Sequence, residues 1–162
     1  MITDATLLFD SSKAITTAGA TFSTDVVDLS MVRDIGDGEC LFLLVTVTET
    51  FTSADNGVVQ FGLAVSASAN MASPAYLVNS GLYDAARLVA VSGNNPATQI
   101  VVPLPGLISA LNASIGANGS RYMSAVYTSV NNFTAGKVRA ELILNPQMLN
   151  GRTYYSKSFV ID

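Results

Sequence analysis

Apolar and polar residues alternate with period two along much of the chain. Leu41, Leu43, Val45 and Val47 fall on one side of an extended segment, and Thr46, Thr48 and Thr50 fall on the other. That pattern predicts a strand with one buried face, because successive strand side chains point to opposite sides of the sheet. The next run repeats it, with Val59, Phe61, Leu63 and Val65 set against Gln60, Gly62, Ala64 and Ser66. Between the two lies Asp55-Asn56-Gly57, residue types that tolerate the positive φ of a tight turn, so a hairpin over residues 41–66 is expected. A second hairpin is expected from Arg121–Val130, closed by Asn131-Asn132, and from the alternation of Val138, Ala140, Leu142 and Leu144 with Lys137, Arg139, Glu141 and Ile143. Shorter β-like runs occupy Thr6–Phe9, Ala14–Thr17, Asp25–Leu29, Ala75–Asn79 and Gln99–Leu104, the last closed by Pro103 and Pro105. Asp84–Val91 and Leu107–Asn112 could each form two helical turns or a strand.

Eight or so short strands separated by Gly, Asn and Ser, without a βαβ rhythm, predict an all-β protein. The expected architecture is an antiparallel jelly roll or β-sandwich with short or no helices. Residues 1–146 would form the sandwich. Beyond Pro146 the alternation stops, yet Tyr154, Tyr155, Phe159, Val160 and Ile161 follow. A disordered segment is poor in such residues, so 147–162 is expected to be a C-terminal extension docked on a neighbour.

Composition narrows the function. The 162 residues hold 8 Lys+Arg and 12 Asp+Glu, a net charge of −4, and 12% of the chain is charged, against a usual share of about 25%. No basic field exists to collect phosphates, so nucleic acid is not an expected partner. Solubility rests instead on 17 Ser, 14 Thr and 11 Asn, a surface that is cheaper to desolvate against a partner than one dense in Lys and Glu. The longest uninterrupted apolar run is the five residues Leu41–Val45, where a spanning helix needs about 20. The opening MITDATLLFDSSK has an acid where a signal peptide has a basic leader. Neither membrane insertion nor export is expected.

Candidate chemistry is sparse. Histidine is absent, which removes the usual general base and the commonest metal ligand. Cys40 has no partner for a disulfide or redox pair, and it directly precedes an apolar strand, as a buried structural thiol would. The glycine-containing stretches 93–95 and 116–120 lack the lysine of a phosphate-binding loop. Asp25, Asp28, Asp34, Asp37 and Glu39 cluster in sequence, but their spacing is not that of a calcium loop. Arg33 beside Asp34 reads as a loop-pinning ion pair. No catalytic, metal or cofactor site is therefore expected. Low charge with Tyr76, Tyr83, Tyr122 and Tyr127 as exposed aromatics is instead the profile of an interface module.

Three stretches taken together resemble a known family. MITDATLLFD, then Val26–Glu39 (with RDIGDGE) running into LFLLVTV, resembles the start of the small capsid cement, or decoration, proteins of tailed bacteriophages. Ile100–Pro105 and Arg121–Leu144 are similar to that family's closing half. Residues 106–120 are longer than the resemblance leads one to expect, and 147–162 lie beyond it.

The resemblance implies a jelly-roll-like protein without enzymatic activity, present in many copies on the outer surface of the virion. It would be made in the host cytoplasm and would bridge neighbouring copies of the major capsid protein. Analogy with capsid decorations suggests a homotrimer, with a homodimer as the alternative. Within this reading Asp34 and Asp37 of the RDIGDGE loop, and Tyr154, Tyr155 and Phe159 of the extension, are the expected partner-binding residues. The alternative reading is a receptor- or glycan-binding β-sandwich of a virion, with exposed tyrosines stacking on sugar rings.

Overall fold

The computed structural model describes residues 7–29, 41–104 and 121–143. Ten strand segments run in chain order: β1 (Leu8–Ala14), β2 (Gly19–Phe22), β3 (Val27–Asp28), β4 (Phe42–Thr52), β5 (Val58–Ser66), β6 (Ala75–Asn79), β7 (Tyr83–Asp84), β8 (Gln99–Pro103), β9 (Tyr122–Val130) and β10 (Ala135–Ile143). Between β7 and β8 lies one 3-10 turn, Ala85–Arg87, opened by the Asp84 carboxylate accepting from the Arg87 amide. That turn replaces the two helical turns or strand expected over 84–91. Its physical content is short: Leu88 follows at once and is fully buried.

Two antiparallel sheets face each other. One has the order β1-β10-β4-β8, and the other β2-β9-β5-β6. In the second sheet β3 continues the line of β2 along β9, and β7 continues that of β6 along β5, so eight ribbons result. The pairs β1–β10, β2/β3–β9, β4–β8 and β5–β6/β7 alternate between the two sheets. A long hairpin of four strand pairs wrapped around a barrel-like core gives this arrangement, and it is the jelly roll.

The strands expected from alternation are present, but neither expected hairpin is. β4 and β5 belong to different sheets, as do β9 and β10. The turns after Thr52 and Val130 are arches across the core. Alternation reports that each strand has one buried face, and an arch and a hairpin give the same pattern. In each arch an asparagine, Asn56 or Asn131, takes the positive φ. The expected run at 14–17 is the end of β1 and a turn, and β2 lies just after it.

The core sits between the sheets. Leu43, Val45, Val47 and Phe51 of β4 meet Val59, Phe61, Leu63 and Val65 of β5, with Val138, Ala140 and Leu142 of β10 beside them. Tyr127 lies in this core, fully buried, its ring centroid 6.1 Å from that of Phe61. The sequence expectation of an exposed Tyr127 is thus corrected. Tyr83 and Tyr122 are half-buried, and only Tyr76 of the four is exposed.

Candidate functional site

The sandwich has two ends and two lateral sides, and each differs in chemistry. At one end the turns are tied together. Ser53 Oγ donates to the Asn132 carbonyl (2.8 Å), Asn131 Nδ2 to the Asp55 carbonyl (2.8 Å), and the Ala18 amide to Asn132 Oδ1 (2.8 Å). Thr52 and Thr134 hydroxyls meet at 2.6 Å, and the rings of Phe51 and Phe133 pack edge to face at 5.0 Å. Ser53, Asn131, Asn132 and Thr134, polar residues of these turns, thus each have a backbone or side-chain partner here.

The opposite end is where β3 and β8 finish, β4 and β9 begin, and β10 finishes. Ile143, Phe42 and Pro103 form one register row across the first sheet, and Asp28, Tyr122 and Ser66 form one across the second. Residues 30–40, 105–120 and 144–162 therefore connect to the fold at this one end. Asp34, Asp37, Tyr154, Tyr155 and Phe159, together with Cys40 and the 107–112 run, lie outside the described residues. What the topology brings together is the set of strand ends that flank them. Asp28 at this end is clasped by Arg121, whose Nε donates to Asp28 Oδ1 at 2.9 Å and whose Nη2 lies 2.5 Å from Oδ2. The guanidinium also sits over the Tyr122 ring, 5.1 Å from its centroid. The hydrogen bond to Asp28, with its charge, holds the Arg121 pKa above the ordinary value. Asp28, one of the clustered carboxylates in the sequence, thus fastens β3 to the start of β9.

One lateral side, along β1 and the residues between β2 and β3, is sealed by polar bonds between the sheets. The Asp10 carboxylate accepts from Tyr127 Oη at 2.7 Å and from the Thr24 amide at 2.9 Å. The Asp25 amide donates to the Phe9 carbonyl at 3.1 Å, and Lys13 Nζ reaches Thr24 Oγ1 at 3.3 Å. Beneath them the Ser23 and Ser124 hydroxyls meet at 2.6 Å. A register shift between Leu8 and Asp10 makes this possible, since it places an extra residue in β1. Both Phe9 and Asp10 are consequently buried. Burial first, then the Asp10 charge and hydrogen bond, push the Tyr127 pKa well above its ordinary value. Sequence reading missed this tie because Asp10 stands in a polar-looking run, Asp10-Ser11-Ser12-Lys13, and a bulge is invisible to simple alternation.

The other lateral side is formed by β8 and by β6 with β7. From Asn56 to Leu104 the chain carries two charged residues, Asp84 and Arg87, and these pair with each other at 3.6 Å. Tyr76, Leu82, Val89, Val91 and Val101, five of the six large apolar side chains that the described residues leave exposed, belong to this stretch.

The arrangement offers shaped, weakly charged surfaces. Among the described residues no three His, Cys, Asp or Glu side chains converge as a metal site would require. No helix among them is long and apolar enough to cross a membrane. No curated protein matches the chain. The profile of the Bbp16 family matches residues 9–142, from one residue into β1 to one residue short of the end of β10, which is the whole of the jelly roll. A match of that extent, over most of the sequence and every strand among the described residues, means that the chain belongs to the Bbp16 family, a phage-associated family.

Proposed function

We propose that the protein is a capsid cement protein: it binds the outer surface of the phage head and stabilises it by bridging major capsid protein subunits. The observation that carries this reading is the coincidence of the Bbp16 match with the full set of jelly-roll strands. It is supported by the resemblance of the opening and closing segments to cement proteins, and by a charge-poor surface suited to desolvation. A head filled with DNA pushes outward. Many small clamps across capsomer joints raise the free energy of opening, and avidity multiplies modest individual interfaces. No chemical step is required, and the protein acts without catalysis or cofactor.

The attachment surface in this reading is the end of the sandwich where residues 30–40, 105–120 and 144–162 join the fold. Asp34 and Asp37 would meet basic capsid residues there, and Tyr154, Tyr155 and Phe159 would anchor on the capsid or an adjacent cement subunit. Reversing the charge of Asp37 should then weaken attachment, and the loss should grow as salt is lowered.

The test is to mix the purified protein with expanded, cement-free heads of its own phage, pellet the heads and count bound copies. Saturation at a stoichiometry matching the capsid lattice, with heads surviving to higher temperature, is the expected result. Absence of binding to intact expanded heads would overturn the proposal. Binding on a glycan array in its place would move the assignment to a receptor- or glycan-binding module, with exposed Tyr76 the first residue to substitute.

A further inference from the structure

The arch between β4 and β5 carries a chemical hazard that the fold imposes. Asn56 stands in it with a φ of +50°, a conformation that asparagine tolerates better than most residues. Gly57 follows, and it is glycine for want of space. An added Cβ would lie 2.9 Å from Ser53 Oγ, 3.1 Å from the Phe133 ring and 3.2 Å from the Asn132 carbonyl oxygen. Asparagine before glycine is the pair most prone to cyclise, because no side chain on the second residue shields its amide nitrogen from the neighbouring carboxamide. Asn56 is open to water, so hydroxide and water reach it, while Gly57 is buried.

One side chain holds the nitrogen that would react. The Gly57 amide donates to Ser53 Oγ at 2.9 Å, and the Asp55 amide donates to the same oxygen at 3.2 Å. Ser53 Oγ gives its own proton to the Asn132 carbonyl at 2.8 Å. A hydroxyl has one proton and two lone pairs, so the whole hydrogen-bonding capacity of Ser53 is committed and its orientation is fixed. Its anchor belongs to the other arch, after β9, and Asn131 of that arch grips the same turn through the Asp55 carbonyl at 2.8 Å. The peptide groups on both sides of Asn56 are thereby tied to a second, separate turn.

We propose that Asn56 is a latent site of spontaneous modification, deamidation through a succinimide, and that Ser53 is the residue that keeps it closed. In the reaction hydroxide removes the Gly57 amide proton, and the nitrogen attacks Asn56 Cγ. A new C–N bond forms, the carboxamide C–N bond breaks, and the carboxamide nitrogen leaves as ammonia. Water then opens the ring at either carbonyl to give aspartate or isoaspartate, with nothing oxidised or reduced. Ser53 opposes the first step. The deprotonated nitrogen would face lone pairs of its oxygen, because the hydroxyl proton is committed to Asn132. Reaction therefore requires the arch to open locally first. Isoaspartate would add one carbon to the main chain between the two sheets, and either product would place a negative charge at the end where the turns are tied. The inference concerns the chain alone and does not depend on the cement reading.

The experiment holds the full chain in mildly alkaline buffer and follows Asn56 by peptide mass spectrometry, with heavy-oxygen water marking each hydrolysis. Ser53→Ala should convert about two- to tenfold faster than the parent, the factor that one hydrogen bond of ordinary net strength is worth. The folded parent should convert more slowly than a synthetic peptide of residues 52–60 by at least that factor. Ser53→Thr, which keeps the hydroxyl, should return the rate to that of the parent. Thr134→Ala removes the neighbouring hydroxyl contact with Thr52 but leaves the Gly57 amide bonded. It should not change the rate, which separates the Ser53 clasp from general loosening of the arch. Hydrogen exchange at the Gly57 amide should quicken in Ser53→Ala and not in Thr134→Ala, with circular dichroism establishing that each variant is folded. Ser53→Cys, whose sulfur is a weaker acceptor, should fall between the parent and Ser53→Ala, and serves in its place if the alanine variant does not fold. A folded parent that converts as fast as the peptide, a Ser53 variant without its acceptor that converts no faster than the parent, or equal acceleration by Thr134→Ala would each overturn the proposal.

Discussion

Two residues carry more of this fold than their sequence surroundings suggest. Tyr127 and Asp10 join β9 to β1 through a buried hydrogen bond of 2.7 Å. Tyr127→Phe keeps the ring in the core but leaves a buried carboxylate oxygen without that donor, and should cost about 1.5–3 kcal/mol in urea unfolding, the range for hydrogen bonds to charged groups. The same tyrosine sets an alkaline limit. Its folded pKa is raised, so below the ordinary tyrosine value of about 10 both states hold the proton. Above it the unfolded chain releases the proton first, and stability falls as pH rises. Unfolding midpoints measured from pH 8 to 11 should show this decline above about pH 10, and Tyr127→Phe should flatten it. Gly136 is a second such position. Its φ is +149°, and an added Cβ would lie 2.5 Å from the Phe51 ring. Gly136→Ala should therefore destabilise by about 1–3 kcal/mol, as overpacking in a filled core does; a thermal melt equal to that of the parent protein would show that Phe51 gives way without cost.

At the scale of the element, β4 shows why alternation found strands and misjudged their joining. Leu41, Leu43, Val45 and Val47 all enter the core as the sequence pattern requires, and Thr46, Thr48 and Thr50 do not. Leu43→Ala should cost about 2–5 kcal/mol, while Thr48→Ala, on the exposed side of the same strand, should stay within about 0.5 kcal/mol. Comparable losses at the two positions would mean that the outward face of β4 is as tightly packed as the inward one. Beyond Val47 the register with β10 slips: Val47 faces Val138, Glu49 faces Lys137 and Thr52 faces Ala135. The irregularity lets Glu49 reach Lys137 at 2.6 Å and returns Phe51 to the core. β5 illustrates a different limit of the pattern. Ala64 and Ser66 belong to its expected solvent face, yet both are buried, Ala64 with Val126 and Met71 under the residues that follow the strand. Periodicity identifies the face toward the other sheet but says nothing of what a connecting segment lays over the outer one.

For the whole molecule, the jelly roll places one knit end opposite an end that receives three long segments, and one sealed side opposite a neutral one. The cement proposal uses the first contrast. Removing residues 147–162 should leave a folded protein with an unchanged melt of the sandwich, because the strands and core described above end at Ile143. The truncated form should bind expanded heads poorly in a pelleting assay. Undiminished binding would remove Tyr154, Tyr155 and Phe159 from the attachment surface while leaving the cement role itself to the stoichiometry measurement.

The sequence by itself determined the class of the fold: strict alternation can be satisfied only by strands with one buried face, and the scarcity of helical periods leaves two sheets as the way to bury it. It determined too that the surface would be weakly charged, because only 12% of residues carry charge. Which strands pair, and across which turns, only the tertiary structure decided. Pairing depends on contacts between β1 and β10, or β2 and β9, more than a hundred residues apart, whereas alternation is a local property of each strand. For the same reason Asp10 looked like a loop residue and Tyr127 like an exposed aromatic, until a bulge in β1 and the fold of β9 over it brought the carboxylate and the hydroxyl together inside the sandwich.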